Sequence, residues 1–504
     1  MNRRHLVFAL VATLVAAFFR LYRLETVPPG LWYDEAVNGI DALRALDSGD
    51  FRVFYPGNNG REGLFINCQA LLLKFLPNEP WTLRCVSALF GTLTVLGTYL
   101  FTATLLDPGD SRRHGDARGA QLVAFFAAIF LATSFWHVVV SRLGVRPVLA
   151  PCCLVWAFYL FFRGLHAGSG RAAALFAVLG GAVYGLGFHS YLAFRATPLL
   201  LVLLVPLFRR EARFWRVALL FGATASLAAW PLASYFLEHP EHFFRRMSQA
   251  SSLGDAEPLR ALAQNLWRAL SQLFLEGSRI PRHNLLGNPQ LYWPISVLMG
   301  LGLAAQLNAA IRGRLRVSTE SGGAIASPRA VVLLLAWFLI GLIPAVLARP
   351  GATRYLLSAI PIFVFAGIGA AVPCRRGAAL GSQVLRRALP FAVAVALLLL
   401  AGRSYRFYFH EWALDARTGY GFQAHVTELA RFLEQLPPEK RKVVALVERT
   451  SYLPECAVRF LTRSYSREME RKTNLHFVAA EKLAAEPESI VVYLGRKRWW
   501  IREE

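Results

Sequence analysis

Residues 5–38 read HLVFALVATLVAAFFRLYRLETVPPGLWYDEAVN. From His5 to Phe19 there is no Asp, Glu, Lys or Arg. The chain then turns through VPPG, and two adjacent carboxylates follow, Asp34 and Glu35, flanked by Trp32 and Tyr33. An apolar helix that ends just before a pair of acids places costly charge close to a bilayer, where ionisable groups usually have a partner or a task. The N-terminus has the outline of a signal peptide, but no small-x-small motif precedes Arg20, so it reads as an uncleaved first span.

The rest of the chain repeats the apolar pattern. It has 504 residues, is 55% hydrophobic and has a mean hydropathy of +0.39; soluble domains are roughly 45–50% apolar. Runs of roughly 16 to 22 apolar residues recur, each suited to crossing a hydrocarbon core as a helix. Spans are expected at about 5–20, 81–106, 119–138, 147–163, 172–189, 191–207, 215–235, 291–310, 329–348, 354–373 and 387–403, roughly eleven. The formal net charge is +23. Its basic residues sit between the apolar runs and no nucleic-acid motif accompanies them, so the charge reads as topological.

Alternate loops collect Arg3 and Arg4; Arg112, Arg113 and Arg118; Arg163 and Arg171; Arg209, Arg210, Arg213 and Arg216; Arg312, Arg314, Arg316 and Arg329; and Arg375, Arg376, Arg386 and Arg387. By the positive-inside rule these loops are cytoplasmic. The opposite face then carries a long first loop, 20–80, with WYDEAVN, a second long loop, 236–290, and everything from about 404. Of the six cysteines none forms a C-x-x-C pair, and Cys152 and Cys153 read as small hydrophobes. A Cys68–Cys456 bridge is allowed by this topology; a disulfide framework or zinc site is not indicated.

Val37, Ile40, Leu43 and Leu46 recur at helical spacing, as do Leu64, Phe65, Cys68, Leu71, Leu72 and Phe75, and Leu259, Leu262, Leu266, Leu270 and Leu273. These stripes predict three interfacial helices roofing the spans. The tail alternates a helical pattern at 421–436 with strand-like KVVALVE, LHFVAA and SIVVYLG, and a helical stretch at about 454–463. It predicts a small α/β domain without a phosphate loop or dinucleotide fingerprint. The chain therefore divides into a membrane domain, 1–403, and an extracytoplasmic α/β domain, 404–504. The GRKRWWIREE end reads as a solvated or headgroup-facing patch, with acceptor binding as the other reading.

The ionisable residues of the outer face are the functional candidates. Asp34 could simply cap the helix that follows it, and Glu62, after Arg61 in GREGLF, could be only a helix-start carboxylate. Arg142 and Arg146 are four apart, which on a helix puts them on one face. Arg195 follows His189 and Tyr191; Arg349 and Arg354 bracket a turn; Arg279, Arg282, His283 and Asn284 lie in the second long loop. Single arginines could meet anionic headgroups. Several converging on one mouth would form an anion site suited to phosphate. Acids and a phosphate clamp at a lipid-accessible site imply transfer chemistry on a phosphate-linked lipid.

In that order, WYDEAVNGIDALRAL, REGLF, SRLGVRPVLAP, GLGFHSYLAFRATPLL, HPEHFFRR, PRHNLLGNP and RYLLSAIP resemble a bacterial membrane glycosyltransferase of the GT-C superfamily, near the protein O-mannosyltransferase-like group (family 39) and the lipid A aminoarabinose transferases. The resemblance spans about residues 1–405. It implies a GT-C fold in the bacterial cytoplasmic membrane, a polyprenyl-phosphate sugar donor, inversion at the anomeric carbon and an extracytoplasmic site. Asp34 matches the family's catalytic aspartate and Glu35 its partner; Glu62 lies near a second acidic position. The aminoarabinose transferases have Glu-Lys where this chain has Arg61-Glu62, which leaves the role of Arg61 open.

On residue chemistry Asp34 is the candidate base for an acceptor hydroxyl, because phosphate leaves as a stable anion and needs no acid. Arg61, Arg142, Arg146, Arg195 and Arg354 are candidates to hold the donor phosphate. Trp32, Tyr33, His189, Tyr191, Arg282, His283 and Asn284 are candidates to line the pocket. No cofactor is required, and a divalent cation, Mg²⁺ or Mn²⁺, held by Asp34 and Glu35 is compatible with the acids. The acceptor could be a lipid, a glycan or a protein, and membrane lipids are partners. The competing class is a transporter or lipid flippase, which would also explain many spans with buried charge. Internal repeats are not evident, and the unusual charges gather at one face, which favours the enzyme. A non-catalytic assembly or receptor protein would leave Asp34 and the arginines without a shared purpose.

Overall fold

The apolar runs become helices, and the two long loops fold back over one end of them. The computed structural model describes residues 3–107, 114–244, 252–285, 287–311, 326–379, 383–447, 454–483, 489–495 and 498–501. Arg112, Arg113, Arg312, Arg314, Arg316, both arginines of HPEHFFRR and parts of GRKRWWIREE lie outside the described residues, as do the side chains of Arg375, Arg376, Arg386 and Arg387.

The order is α1 (Arg3–Leu21), α2 (Tyr33–Ser48), β1 (Phe54–Tyr55), β2 (Arg61–Glu62), α3 (Leu64–Leu73), α4 (Pro80–Leu106), α5 (His114–Thr133), α6 (Phe135–Ser141), α7 (Leu149–Leu165), α8 (Gly170–Gly187), α9 (Pro198–Phe208) and α10 (Phe214–Glu238). It continues with α11 (Pro258–Phe274), α12 (Trp293–Ile311), α13 (Pro328–Leu347), α14 (Ala359–Ala379) and α15 (Gln383–Arg406). The tail adds α16 (Ala416–Gly421), α17 (Ala424–Gln435), β3 (Lys442–Leu446), α18 (Glu455–Leu461), α19 (Arg467–Thr473), β4 (Leu475–Ala479), β5 (Ile490–Leu494) and β6 (Trp499–Ile501).

Among the described residues nine helices are long and apolar enough to cross a membrane, or ten when α5 and α6 count as one span. Their outward faces are apolar, with Leu227 74% and Leu398 72% exposed. Only hydrocarbon accepts such a surface, and the protein is an integral, multi-pass membrane protein. Two of the eleven expected spans differ from expectation. The run at 191–207 begins as a 3₁₀ segment, Leu192–Ala196, and leaves only the eleven residues of α9. The run at 119–138 bends by 62° at Ser134, whose extended backbone ends α5 and starts α6. Apolar content sets length and burial but not direction.

α4 packs against α1, α5 and α7, and α8 packs along α10. The α8–α10 approach depends on Gly181 and Gly185, one turn apart, where a Cβ would run into Phe221, Thr224 and Ala225 of α10. Helices form at all three expected stripes, as α2, α3 and α11, but α3 is apolar rather than amphipathic. In the tail, β4, β3 and β5 are parallel neighbours in the order β4-β3-β5-β6, and β6 closes antiparallel to β5. Helices α17 and α18 share one apolar core with this sheet and with α2 and α3. All six cysteines are free.

Candidate active site

The two adjacent acids do different things because successive helix positions point about 100° apart. Glu35 is the third residue of α2 and is fully buried. Its Oε2 accepts the backbone N–H of Trp32 (3.2 Å), so Glu35, not Asp34, makes the reciprocal helix-start bond. Arg84, just inside α4, meets it in a fork: Nε donates to Oε1 (2.9 Å) and Nη2 to Oε2 (3.0 Å). Arg84 also donates to the carbonyls of Pro28 (2.7 Å) and Gly30 (2.6 Å). Gly144 N–H completes Glu35 by donating to Oε1 (2.7 Å). The Gly144 carbonyl in turn accepts from Asn38 (3.1 Å) and Gln69 (3.2 Å). This lattice pins the 142–148 segment against α2.

Asp34 faces the other way, into a cavity of about 180 Å³. Trp32, Asn38, Asn58, Asn59, Arg61, Val145, Arg146, Pro147, Tyr191, His283 and Thr353 line the rest of it. Asn58 Nδ2 donates to Asp34 Oδ1 (2.7 Å), and among the described residues no cation pairs with this carboxylate. Asn58 is brought there by the β1–β2 hairpin, whose turn holds Asn58, Asn59 and Gly60 at positive φ of 48°, 63° and 81°. The hairpin is anchored by Arg61, which donates to Asn38 Oδ1 (2.8 Å), to Gly57 O (3.2 Å) and to Asp41.

Glu62, also buried, gathers two arginines. Arg146 Nε lies 2.9 Å from Oε2, in ion contact without hydrogen-bond alignment, and Arg195 Nη2 lies 3.8 Å from Oε1. Arg146 sits over the Tyr191 ring (5.8 Å) on the cavity wall. Arg195 lies over Phe243 (4.4 Å) and Phe236 (5.0 Å), in an apolar groove of about 670 Å³ with Phe188 and Leu232. Glu62 thus contacts one arginine of the cavity wall and one of the groove.

No family model matches the sequence, and no curated protein matches it significantly. Solved structures do. ArnT from Cupriavidus metallidurans bound to undecaprenyl phosphate superposes with TM-score 0.56 at 14% identity, over 97% of this chain and 92% of that chain. The same protein in the apo state gives 0.51 at 16% identity, with the same coverage. The S. cerevisiae protein O-mannosyltransferase Pmt1–Pmt2 complex bound to the sugar donor gives 0.36 at 20% identity, over 49% of this chain and 34% of that chain. This chain has the GT-C fold.

Within the GT-C fold several expected site residues lie elsewhere. Arg142 and Arg146 do not share a helical face, because α6 ends at Ser141 and residues 142–145 form a turn. Arg142 is fully buried and donates to the carbonyls of Phe19 (3.0 Å) and Val27 (2.7 Å), with its guanidinium over Tyr408 and Phe409 (5.2 Å each). It closes the C-terminal end of α1 rather than the cavity. Arg354 donates to the Arg349 carbonyl, and its neighbour Thr353 is the one that lines the cavity. Tyr33 packs toward the tail core, and Asn284 donates to Asn288 O (2.6 Å) away from the wall.

Trp32 does line the cavity, with Arg282 stacked on it (4.2 Å) and His283 edge-on (6.4 Å). Burial first, and then Arg282, push His283 down to about 3, so its ring is neutral. His189 bonds the Ala228 carbonyl (3.0 Å), and burial lowers it too. The Asp34–Glu35 cation site does not fit, since both Glu35 oxygens are committed to Arg84 and backbone N–H groups. Among the described residues the group that could hold a metal is His239, Glu241 and His242, with ligand atoms within 4.8 Å of one another. Sequence reasoning missed Arg84, Asn38, Asn58, Asn59 and Thr353. Only Asn58 and Asn59 carried a signal, the turn-forming NNG ahead of Arg61.

Proposed function

We propose that the protein transfers a sugar from a polyprenyl-phosphate donor to an acceptor hydroxyl in the Asp34 cavity, on the extracytoplasmic face of the bacterial cytoplasmic membrane. One observation carries the reading: a carboxylate without a cation partner among the described residues, Asp34, shares a cavity with Arg146, and Glu62 links that arginine to Arg195 in an apolar groove. A base, an anion clamp and a lipid groove are the three parts that such a transfer needs. The similarity to ArnT bound to undecaprenyl phosphate supports the donor class.

In this reading the prenyl chain lies along Phe188, Leu232 and Phe236, and the phosphate meets Arg195 and Arg146. The acceptor oxygen attacks the anomeric carbon from the face opposite the phosphate and inverts it. Its proton goes to the Asp34 carboxylate. The carbon–oxygen bond to phosphate breaks with its electron pair on phosphate, which leaves as an anion and needs no protonation. Arg146 and Arg195 stabilise the charge as it builds. Asn58 orients Asp34, Glu62 spaces the arginines, and Glu35 holds the scaffold. The arginine-rich segments of the sequence support the reading that this face is the outer one, by the positive-inside rule. The α/β domain, taken as 404–504, then lies outside as well.

Radiolabelled donor and a panel of lipid, glycan and protein acceptors test this reading. Asp34→Asn is expected to keep donor binding and lose about 10²–10⁴-fold in turnover, the usual worth of a positioned base. Full activity in Asp34→Asn refutes the assignment. Arg195→Ala weakens donor binding in an inserted, folded protein.

A further inference from the structure

We propose that His239, Glu241 and His242, where α10 ends, form a binding site for a divalent transition metal, with Zn²⁺ the best match to the ligand set. The sequence HPEH folds into its own frame. The His242 N–H donates to the His239 carbonyl (3.1 Å), closing a turn over Pro240 and Glu241. Proline at the second position of such a turn fixes its backbone. The turn aims both imidazoles at one carboxylate oxygen: His239 Nδ1 is 3.6 Å from Glu241 Oε1, and His242 Nε2 is 3.8 Å from the same atom.

The spacing is close to what a metal requires. All three ligand atoms lie within 4.8 Å of one another. In a tetrahedral zinc site, bonds of about 2.0–2.1 Å set ligand atoms roughly 3.3 Å apart. Two of the spacings are within about 0.5 Å of that value, and the half-exposed His239 ring has room to turn for the third. Independently, the far nitrogen of the His242 ring has a partner, since Nδ1 bonds the Tyr235 hydroxyl at 2.9 Å. With Nδ1–H donating to that oxygen, Nε2 keeps its lone pair on the Glu241 side, as a metal-bound histidine does. Phe54 (5.7 Å) and Tyr235 (5.8 Å) stack on the imidazole and hold its plane.

Two imidazoles with one carboxylate suit zinc and its neighbours; Mg²⁺ and Ca²⁺ take oxygen ligands. Three protein ligands leave the fourth position to water. A bound ion would tie the end of α10 to the β1–β2 hairpin through Phe54. None of the three ligands lines the Asp34 cavity, and the proposal does not depend on the transfer reading. The competing reading is a pair of surface ion pairs, which contribute little and bind no metal.

Calorimetric titration of the chelator-stripped, detergent-purified full chain, its affinity tag removed, tests this. The probes are Zn²⁺ and Mg²⁺ alone, without donor. One saturable equivalent of Zn²⁺ per chain is expected, and metal analysis after dialysis should find it retained. The triple variant His239→Gln, Glu241→Gln, His242→Gln changes only partly or well-exposed side chains and should lose that equivalent. Tyr235→Phe keeps all three ligands and is expected to weaken Zn²⁺ by about tenfold, the usual worth of a hydrogen bond to a ligating imidazole. Absence of a saturable Zn²⁺ equivalent, Zn²⁺ binding unchanged in the triple variant, or Mg²⁺ binding as tightly as Zn²⁺ overturns the proposal.

Discussion

At the scale of single residues, WYDEAVN separates into an acid that lines a cavity and a structural one. Glu35 is buried with Arg84, and each satisfies the other through two contacts. Breaking such a pair leaves an uncompensated buried charge. Glu35→Gln is therefore expected to cost about 3–5 kcal/mol, read as a fall in the melting temperature of the purified protein. Replacing both partners, Glu35→Leu with Arg84→Met, should recover part of that loss. If Glu35→Gln melts like the parent, Glu35 is not the scaffold's anchor. The sequence displayed the acid pair but not its division of labour. Arg84 stands near the start of an apolar run, and its meaning lies in a partner 49 positions away. Arg142 misled for the converse reason: its spacing from Arg146 suggested a shared face, and the chain turns between them.

At the scale of elements, the β1–β2 hairpin delivers the polar wall opposite α2. Its turn works only with backbone in the left-handed region at three consecutive positions, and Gly60 is the tightest of them. A Cβ at Gly60 would stand 2.6 Å from the ring of Phe54. Gly60→Ala is expected to strain the turn by about 1–2 kcal/mol and to pull Asn58 off Asp34. Insertion should be unaffected, because no spanning helix is touched. Transfer kinetics should show a lower kcat at unchanged donor affinity; an unaltered kcat would mean that the hairpin does not position Asp34. The spans were legible because hydrocarbon imposes a length and a composition on each helix. The hairpin was not, since a two-residue strand has no period to detect. The bend at Ser134 was invisible because apolar content sets the length of a span but not its direction.

At the scale of the whole molecule, the tail domain braces the roof that carries the site. Phe460 of α18 sits against Gly39 of α2, where even a Cβ would collide with its ring. Around this contact Thr427 accepts from Leu31 N–H (2.9 Å), Arg44 donates to the Tyr465 carbonyl (3.0 Å), and Arg431 pairs with Glu79. Asp34 is the second residue of α2, so the position of this proposed base depends on contacts with the segment that follows the last spanning helix. Phe460→Ala removes a fully buried ring and is expected to cost about 3–5 kcal/mol. The loss should appear in the roof and tail while the spanning helices stay folded. Hydrogen exchange should rise in 33–48 and 424–461, and transfer should fall before donor binding does. If exchange rises only in the tail and turnover holds, the domain is an appendage, and Asp34 is kept in place by Arg84, Glu35 and Gly144 alone.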